Sequence, residues 1–227
     1  MKVGCLLIHG FTGAPYEVLP LGEYLKSLGY EIEVPTLSGH GGNLNGLRGV
    51  SYKRWIEDAE RAFNALSQRC DAVVVVGFSM GGLLAINLAC KHKIAGLVTL
   101  STPIYVYDLR QMASNLLAAV RLKEYQRIKE YAQRAWETPL SAARNFQRLL
   151  SSTKQLIPQV RVPVLVVQGK RDDTVKAKSA GYIYNKISSH SKTIHYLPES
   201  THLVCLGPEQ ETVFQLLQQF MRGIEVR

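Results

Sequence analysis

The sequence lacks any apolar stretch of the length that crosses a bilayer. Its longest apolar runs, such as Ala72–Val76 and Val162–Val167, have the size of strands, whereas a transmembrane helix needs about 20 residues. The apolar stretch near the N-terminus, Val3–Ile8, is too short for the hydrophobic region of a signal peptide, and no cleavage site follows it. We therefore expect neither membrane insertion nor a secretory signal.

Cysteine is also scarce. The four cysteines, Cys5, Cys70, Cys90 and Cys205, lie far apart and form neither a CxxC pair nor a zinc-ligand spacing. Four cysteines in a chain of 227 residues do not make a disulfide framework. This pattern predicts a reduced, cytoplasmic protein with no structural metal.

Acidic residues are fewer than basic ones, 18 against 27, so the formal net charge is +9. An excess of this sign can indicate a nucleic-acid or anionic-surface partner. Because it forms no continuous run, we interpret it as a solvated surface and expect no nucleic-acid partner. The excess is concentrated between Ile104 and Pro158, where the acidic residues Asp108, Glu124, Glu130 and Glu137 face nine basic ones: Arg110, Arg121, Lys123, Arg127, Lys129, Arg134, Arg144, Arg148 and Lys154.

Short apolar runs alternate with helical patterns along most of the chain, which is typical of a parallel α/β sheet with helices on both faces. The run Ala72–Val76 is almost all valine, as in a strand buried on both faces. The predicted strands are Gly4–Ile8, Tyr30–Val34, Ala72–Val76, Ile94–Leu100, Val162–Val167 and Lys192–Leu197. The predicted helices are Glu17–Leu28, Tyr52–Arg69, a helix from just after Ser79 to about Cys90, Val175–Ile187 and Glu209–Met221.

Residues 104–158 interrupt this alternation, because they are helical in pattern and contain no strand-like run. We predict one α/β core, residues 1–103 and 159–227, carrying residues 104–158 as a helical cap. The cap leaves from the carboxyl end of a strand, where the active crevice of an open α/β sheet lies. Its apolar residues are therefore candidates to line a pocket, or to pack within the cap: Leu116, Leu117, Val120, Leu122, Tyr125, Ile128 and Tyr131.

The five residues Gly77–Gly81 have the pattern G-x-S-x-G directly between the valine strand and a helix. In this setting the pattern predicts a sharp turn that presents the central serine above the sheet, with flanking glycines that leave room for the turn. Ser79 is therefore a candidate nucleophile. A serine hydroxyl needs a base to remove its proton, and the base needs a group to orient it.

Two later loops offer the base and the acid in the order that this kind of sheet requires. Asp172 follows the strand Val162–Val167, and His202 follows the strand Lys192–Leu197. Asp173 is the neighbouring alternative for the acid. The other histidines fit the base less well because of their places in the pattern: His40 precedes the serine, His92 lies beyond the helix, His190 precedes a strand and His195 lies within it.

The reaction also needs donors for the developing oxyanion. One candidate is the backbone N–H of Met80, at the start of the helix. The other is the N–H of Phe11, in the loop His9–Gly13 that follows the first strand. We expect the side chain of Phe11 to matter little, because the donor belongs to the backbone.

These segments resemble the α/β-hydrolase fold, and more closely the small bacterial carboxylesterases and monoacylglycerol lipases. The resemblance rests on LLIHGFTG (6–13), GFSMGG (77–82), QGKRDDTV (168–175) and ESTHLV (199–204), and it extends to GHGG (39–42) and STP (101–103). The family's acid lies in a G-x-x-D-x-x-V pattern that Gly169, Asp172 and Val175 match, so the resemblance favours Asp172 over Asp173.

The resemblance implies hydrolysis of carboxylic esters of short to medium acyl chain, with the oxyanion bound by Phe11 and Met80 and without metal or cofactor. It also implies a trimmed sheet, because the full fold has two strands before the one that leads to Phe11. The small-molecule substrate is expected to be an ester. A thioesterase, an aminopeptidase or a C–C hydrolase could use the same triad, and a non-catalytic receptor could retain it. A dehalogenase would carry Asp where Ser79 stands.

Overall fold

The computed structural model describes residues 1–106 and 138–225. Its centre is a sheet of six strands, all parallel, in the order β2-β1-β3-β4-β5-β6. Every predicted strand is present, so the predicted α/β architecture is confirmed. The strands are β1 (Val3–Ile8), β2 (Glu31–Glu33), β3 (Ala72–Phe78), β4 (Gly96–Leu100), β5 (Val164–Gly169) and β6 (Lys192–Leu197).

Helices cover both faces of this sheet, and each face has its own apolar cluster. The six α-helices in the described ranges are α1 (Leu19–Ser27), α2 (Tyr52–Ser67), α3 (Met80–Lys91), α4 (Leu140–Leu156), α5 (Lys178–Lys186) and α6 (Gln210–Glu225). Buried residues of α1 and α6 form one cluster, and buried residues of α2 to α5 form the other. The valines of β3 contribute to both clusters. Val73 and Val75 belong to the cluster of α2 to α5, while Val74 and Val76 belong to the cluster of α1 and α6.

Local signals set several of the helix ends. The Ser51 side chain accepts a hydrogen bond from the amide of Arg54 at the start of α2, which satisfies an N–H that has no partner within the helix. After α1, Gly29 has φ +93, a left-handed conformation that ends a helix at little cost only for glycine. The start of α2 agrees with the sequence prediction, and α1 ends one residue before the predicted Leu28.

The described part of the predicted cap consists of residues 104–106 and 138–158. The returning segment forms α4, whose buried Ala142 and Leu149 join the cluster under α2 and α3. A buried hydrogen bond of 2.7 Å from Asn87 Nδ2 to Thr153 Oγ1 ties α3 to α4. The seven apolar residues named as candidates to line a pocket or to pack within the cap lie outside the described residues, and the boundaries of the cap stay a prediction.

Within the described ranges, no helix combines the length and the apolar character needed to cross a membrane.

Candidate active site

Ser79 lies in a strained turn between β3 and α3. Its backbone has φ +51 and ψ −120, a conformation that few non-glycine residues adopt. The turn is closed by a hydrogen bond of 2.8 Å from the Ser79 amide to the carbonyl of Leu100 in the neighbouring β4. A Cβ atom on Gly77 would come within 2.2 Å of the Gly81 carbonyl oxygen, so only glycine fits there.

The loops after β5 and β6 lie side by side at the carboxyl end of the sheet. The amide of Arg171 donates a 3.0 Å hydrogen bond to the carbonyl of Ser200. A Cβ atom on Gly169 would lie 2.4 Å from the carbonyl oxygens of Ser200 and Thr201. This close approach of the two loops is what brings their side chains together.

The structure places the three predicted side chains in one hydrogen-bonded chain. His202 Nε2 lies 3.0 Å from Ser79 Oγ, and His202 Nδ1 lies 2.9 Å from Asp172 Oδ2. Because the carboxylate accepts from Nδ1–H, Nε2 is left to accept the serine proton. Ser79 and Asp172 are buried, at 8% and 4% exposure, and the ring of Phe78 packs 5.0 Å from the imidazole of His202.

The Asp172 carboxylate is buried but fully hydrogen-bonded. Its Oδ1 accepts from the amides of Thr174 and Val175, at 2.9 and 2.8 Å. Its Oδ2 accepts from Gln168 Nε2 as well as from His202, both at 2.9 Å. Four donors offset the cost of burying the charge and hold the carboxylate in one orientation.

The alternatives considered for the acid and the base lie elsewhere. Asp173 accepts from Thr174 Oγ1 rather than from the imidazole of His202. His40 lies against His9 and Trp55. His92 packs on a phenylalanine of α2, and His190 and His195 are exposed. The described geometry therefore pairs Asp172 and His202 with Ser79.

The loop after β1 lies against the serine turn. A Cβ atom on Gly10 would come within 3.2 Å of Ser79 Cβ, so a side chain at this position would crowd the serine. The buried Glu17 holds it, because its Oε2 accepts a 2.8 Å hydrogen bond from the Gly10 amide. Met80 begins α3, so its amide has no partner within the helix. Phe11 follows Gly10 in this loop.

The Phe11 side chain has a packing role that the sequence analysis did not predict. Its ring stacks on Phe146 of α4 at 5.1 Å between centroids and meets Trp55 of α2 edge to face at 5.9 Å. These contacts fix the residue whose backbone N–H is the candidate oxyanion donor.

Two buried polar residues near the site were also missed: Glu17 and Gln168, which lies next to the last residue of β5. The signal for Gln168 was a polar residue directly after four buried apolar positions. Cys205, three residues after His202, is fully buried. Burial, with a smaller contribution from the Glu17 carboxylate, raises the pKa of this thiol to about 12, so it is packed and unreactive.

A metal site is not evident in residues 1–106 and 138–225, because no three His, Cys, Asp or Glu side chains there could together hold an ion.

A parallel sheet with a serine in a strand-to-helix turn, followed by an acid and a histidine at later strand ends, defines the α/β-hydrolase class. The comparison with protein families agrees. Residues 5–214 match the model of the alpha/beta hydrolase family, and the chain belongs to that family.

Known relatives cover nearly the whole chain. A thermostable monoacylglycerol lipase of Bacillus sp. (strain H-257) is 30% identical over 229 residues, which is 96% of this chain and 90% of that protein. A carboxylesterase of Bacillus subtilis (strain 168) is 26% identical, covering 97% of this chain and 92% of the relative. A solved structure described with the metagenome-derived lipolytic enzymes LipS and LipT shares the fold, with a TM-score of 0.83, 24% identity, and coverage of 98% of this chain and 94% of its own.

Proposed function

We propose that this protein hydrolyses carboxylic esters of short to medium acyl chain, including monoacylglycerols, through an acyl-enzyme on Ser79. The observation that carries the proposal is the hydrogen-bonded chain from Ser79 Oγ through the His202 imidazole to the Asp172 carboxylate, at 3.0 and 2.9 Å. The relatives named for carboxylesterase and monoacylglycerol lipase activity support the substrate class.

In the first half of the reaction, Ser79 Oγ attacks the ester carbonyl carbon while His202 Nε2 takes the hydroxyl proton. Asp172 keeps the imidazole in the tautomer that has its proton on Nδ1, and it stabilises the imidazolium that forms. The carbonyl oxygen becomes an anion, which the amides of Phe11 and Met80 bind. The bond to the alcohol oxygen then breaks, and the alcohol leaves with the proton from Nε2.

In the second half, a water molecule repeats these steps on the acyl-enzyme. His202 takes a proton from the water, whose oxygen attacks the acyl carbon, and the oxyanion is bound by the same two amides. The bond to Ser79 Oγ breaks, and the serine recovers its proton from Nε2. The products are the carboxylic acid and the free enzyme, and water is the only reactant besides the ester.

The experiment is hydrolysis of p-nitrophenyl esters from acetate to palmitate, together with monoacylglycerols of the same chain lengths. Ser79→Ala is measured beside the wild type, and Ser67→Ala is the control because Ser67 is exposed at the end of α2. We expect Ser79→Ala to lose about 10⁶-fold in kcat, the loss seen when a serine protease loses its nucleophile. Ser67→Ala should retain full activity.

Two outcomes would reject parts of the proposal. Activity of Ser79→Ala within tenfold of wild type would reject Ser79 as the nucleophile. A folded wild-type protein that hydrolyses none of these esters, yet is labelled at Ser79 by a serine-directed phosphonate, would reject the substrate class and keep the serine chemistry. The chain-length profile of kcat/KM would then be measured on thioesters.

A further inference from the structure

Gln168 makes an unusual set of contacts beneath the catalytic histidine. It is the last residue but one of β5, it is 0% exposed, and its Nε2 donates to Asp172 Oδ2 at 2.9 Å and to the carbonyl of Gly169 at 3.2 Å. Its other terminal atom, Oε1, is buried and has no hydrogen-bond partner in residues 1–106 and 138–225. The residue therefore satisfies its donor and leaves its acceptor unpaired.

The hydrogen bonds of Gln168 come from the NH2 end of its amide, and the carbonyl end makes none with the described residues. Turning the amide over would put Oε1 against the Asp172 carboxylate, and the two oxygens would repel each other. An unpaired buried carbonyl costs free energy that an apolar side chain of the same shape would avoid. Packing alone therefore favours an apolar residue at position 168, and the donor to Asp172 is what the glutamine supplies.

The oxygen that receives this donor is the one that faces the imidazole. Both Gln168 Nε2 and His202 Nδ1 bind Asp172 Oδ2, whereas Oδ1 is held by two backbone amides. A second donor at Oδ2 fixes the direction of the carboxylate toward Nδ1. It also spreads the negative charge, so that the carboxylate holds an imidazolium less tightly.

We propose that Gln168 is a positioning residue that orients Asp172 and sets how strongly His202 binds its second proton. The inference rests on the proposed function, since it assigns Gln168 to the same proton-transfer chain. It concerns this residue alone and does not alter the roles of Ser79, Asp172 or His202.

Other charged groups surround the pair and could influence its titration. They lie on the loop after β5, the loop after β6, the segment before α6 and the segment between β1 and α1: Arg171, Asp173, Glu199, Glu209 and Glu17. Arg171 pairs with Glu199 at 2.6 Å, and Glu209 holds the Ser200 hydroxyl. They are identical in wild type and in variants at position 168, so a difference between the two pH profiles reports the substituted side chain.

The test compares Gln168→Met with wild type by kcat, KM and the pH profile of kcat/KM on the best p-nitrophenyl ester. Methionine keeps the length of the side chain and removes both donor and acceptor. Gln155→Met is the matched control, since Gln155 is exposed on α4. We expect kcat to fall about tenfold, within the ~10²-fold that misplacement of a catalytic group can cost. KM should be unchanged.

The pH profile separates positioning from a structural role. His202 must be neutral to accept the serine proton, and the acidic limb of the profile follows the loss of that neutral form. Without the Gln168 donor, the carboxylate holds the imidazolium more tightly, so the midpoint of the acidic limb moves to higher pH. A lower kcat with a profile superimposable on wild type would overturn the proposal, as would wild-type kcat.

Gln168→Glu keeps the shape of the side chain, and it provides a second test in case the Gln168→Met protein does not fold. When ionised, the introduced carboxyl repels Asp172 and cannot donate, whereas its protonated form can donate to Oδ2 as the amide does. We therefore expect the activity relative to wild type to be lowest at high pH and to recover as the pH falls. Equal activity to wild type across the pH range would overturn the proposal. Ser79→Ala run in parallel tests the proposed function separately, because its outcome does not depend on position 168.

Discussion

The buried His9, which links β1 to the loop of the candidate oxyanion donor, makes the stability of this fold dependent on pH. Its Nδ1 donates to the carbonyl of Gly10 at 2.9 Å, and its Nε2 accepts from the amide of Leu37 at 3.2 Å. A second proton on Nε2 would break the bond from Leu37 and place a charge in a site with 0% exposure. The folded state therefore binds the neutral ring.

The size of the effect follows from the proton affinity of this ring in the two states. Burial, together with the nearby His40, lowers the pKa of His9 from 6.5 to about 4, despite the opposing hydrogen bond to Gly10. A histidine with a lowered pKa contributes stability that is present above pH 6.5 and is lost as the pH falls toward 4. Linkage then gives a loss of about 2 kcal/mol between pH 8 and pH 5, and about 3 kcal/mol when the titration is complete. Burial also lowers the pKa of His40, so its contribution has the same sign.

The assay is urea unfolding at pH 8 and at pH 5, for wild type and for His9→Gln. The glutamine side chain can still accept from Leu37 but does not take up a proton. His195→Gln is the control, since His195 is exposed on β6. We expect the loss of unfolding free energy on acidification to be about 2 kcal/mol smaller in His9→Gln than in wild type. The reasoning is refuted if wild type and His9→Gln lose the same free energy.

Two further substitutions test the packing that supports the site. Gly81→Ala puts a Cβ atom 2.1 Å from the backbone oxygen of Ile8. We expect it to lower the unfolding free energy by about 3 kcal/mol or more, whereas Gly42→Ala, in open space, should be neutral by the same urea titration. Thr153→Val removes the acceptor that Asn87 uses in the core, and we expect a loss of about 1–3 kcal/mol. Thr153→Ser should recover most of it, and equal stability of the two variants would contradict the role of the hydroxyl.

The six strands could be predicted because each is a short apolar run between turn residues. Their limits were less certain where tertiary contacts decide them. The predicted strand at Val162 begins at Val164 instead, because Pro163 has no N–H for the ladder, although its carbonyl accepts from Leu97. The helix predicted from Val175 begins at Lys178, because Val175 pairs with Val106 in a β-bridge and the amide of Lys176 donates to the carbonyl of Tyr105.

The last helix shows the opposite case, in which packing extends an element beyond its predicted end. The apolar pattern predicted an end at Met221, but α6 continues to Glu225. Ile224 is 5% exposed and joins Met221 in the cluster beneath α1. A single apolar residue three positions further on was a weak signal in the sequence, and its burial against the sheet decides the outcome.

Part of the candidate site can be predicted from consecutive residues, and part depends on contacts between distant segments of the chain. The serine turn is specified by consecutive residues, so Ser79 and Met80 could be placed from the sequence alone. The ring of Phe11 was expected to matter little, yet it stacks on Phe146, which comes from a helix far along the chain. No local sequence pattern predicts such a contact, because it depends on how α4 packs against α2 and α3.

Asp172 and His202 meet because two parallel neighbours end at the same edge of the sheet. Gly169 and Leu197 are the last paired residues of β5 and β6. Just beyond them, the amide of Lys170 donates a 2.8 Å hydrogen bond to the carbonyl of Leu197. The loops therefore leave the sheet already joined. Backbone bonds between the two loops bring the carboxylate and the imidazole together, and the amides of Thr174 and Val175 hold Oδ1. The role proposed for Gln168 is limited to Oδ2, so substitutions there should alter proton transfer while leaving the sheet intact.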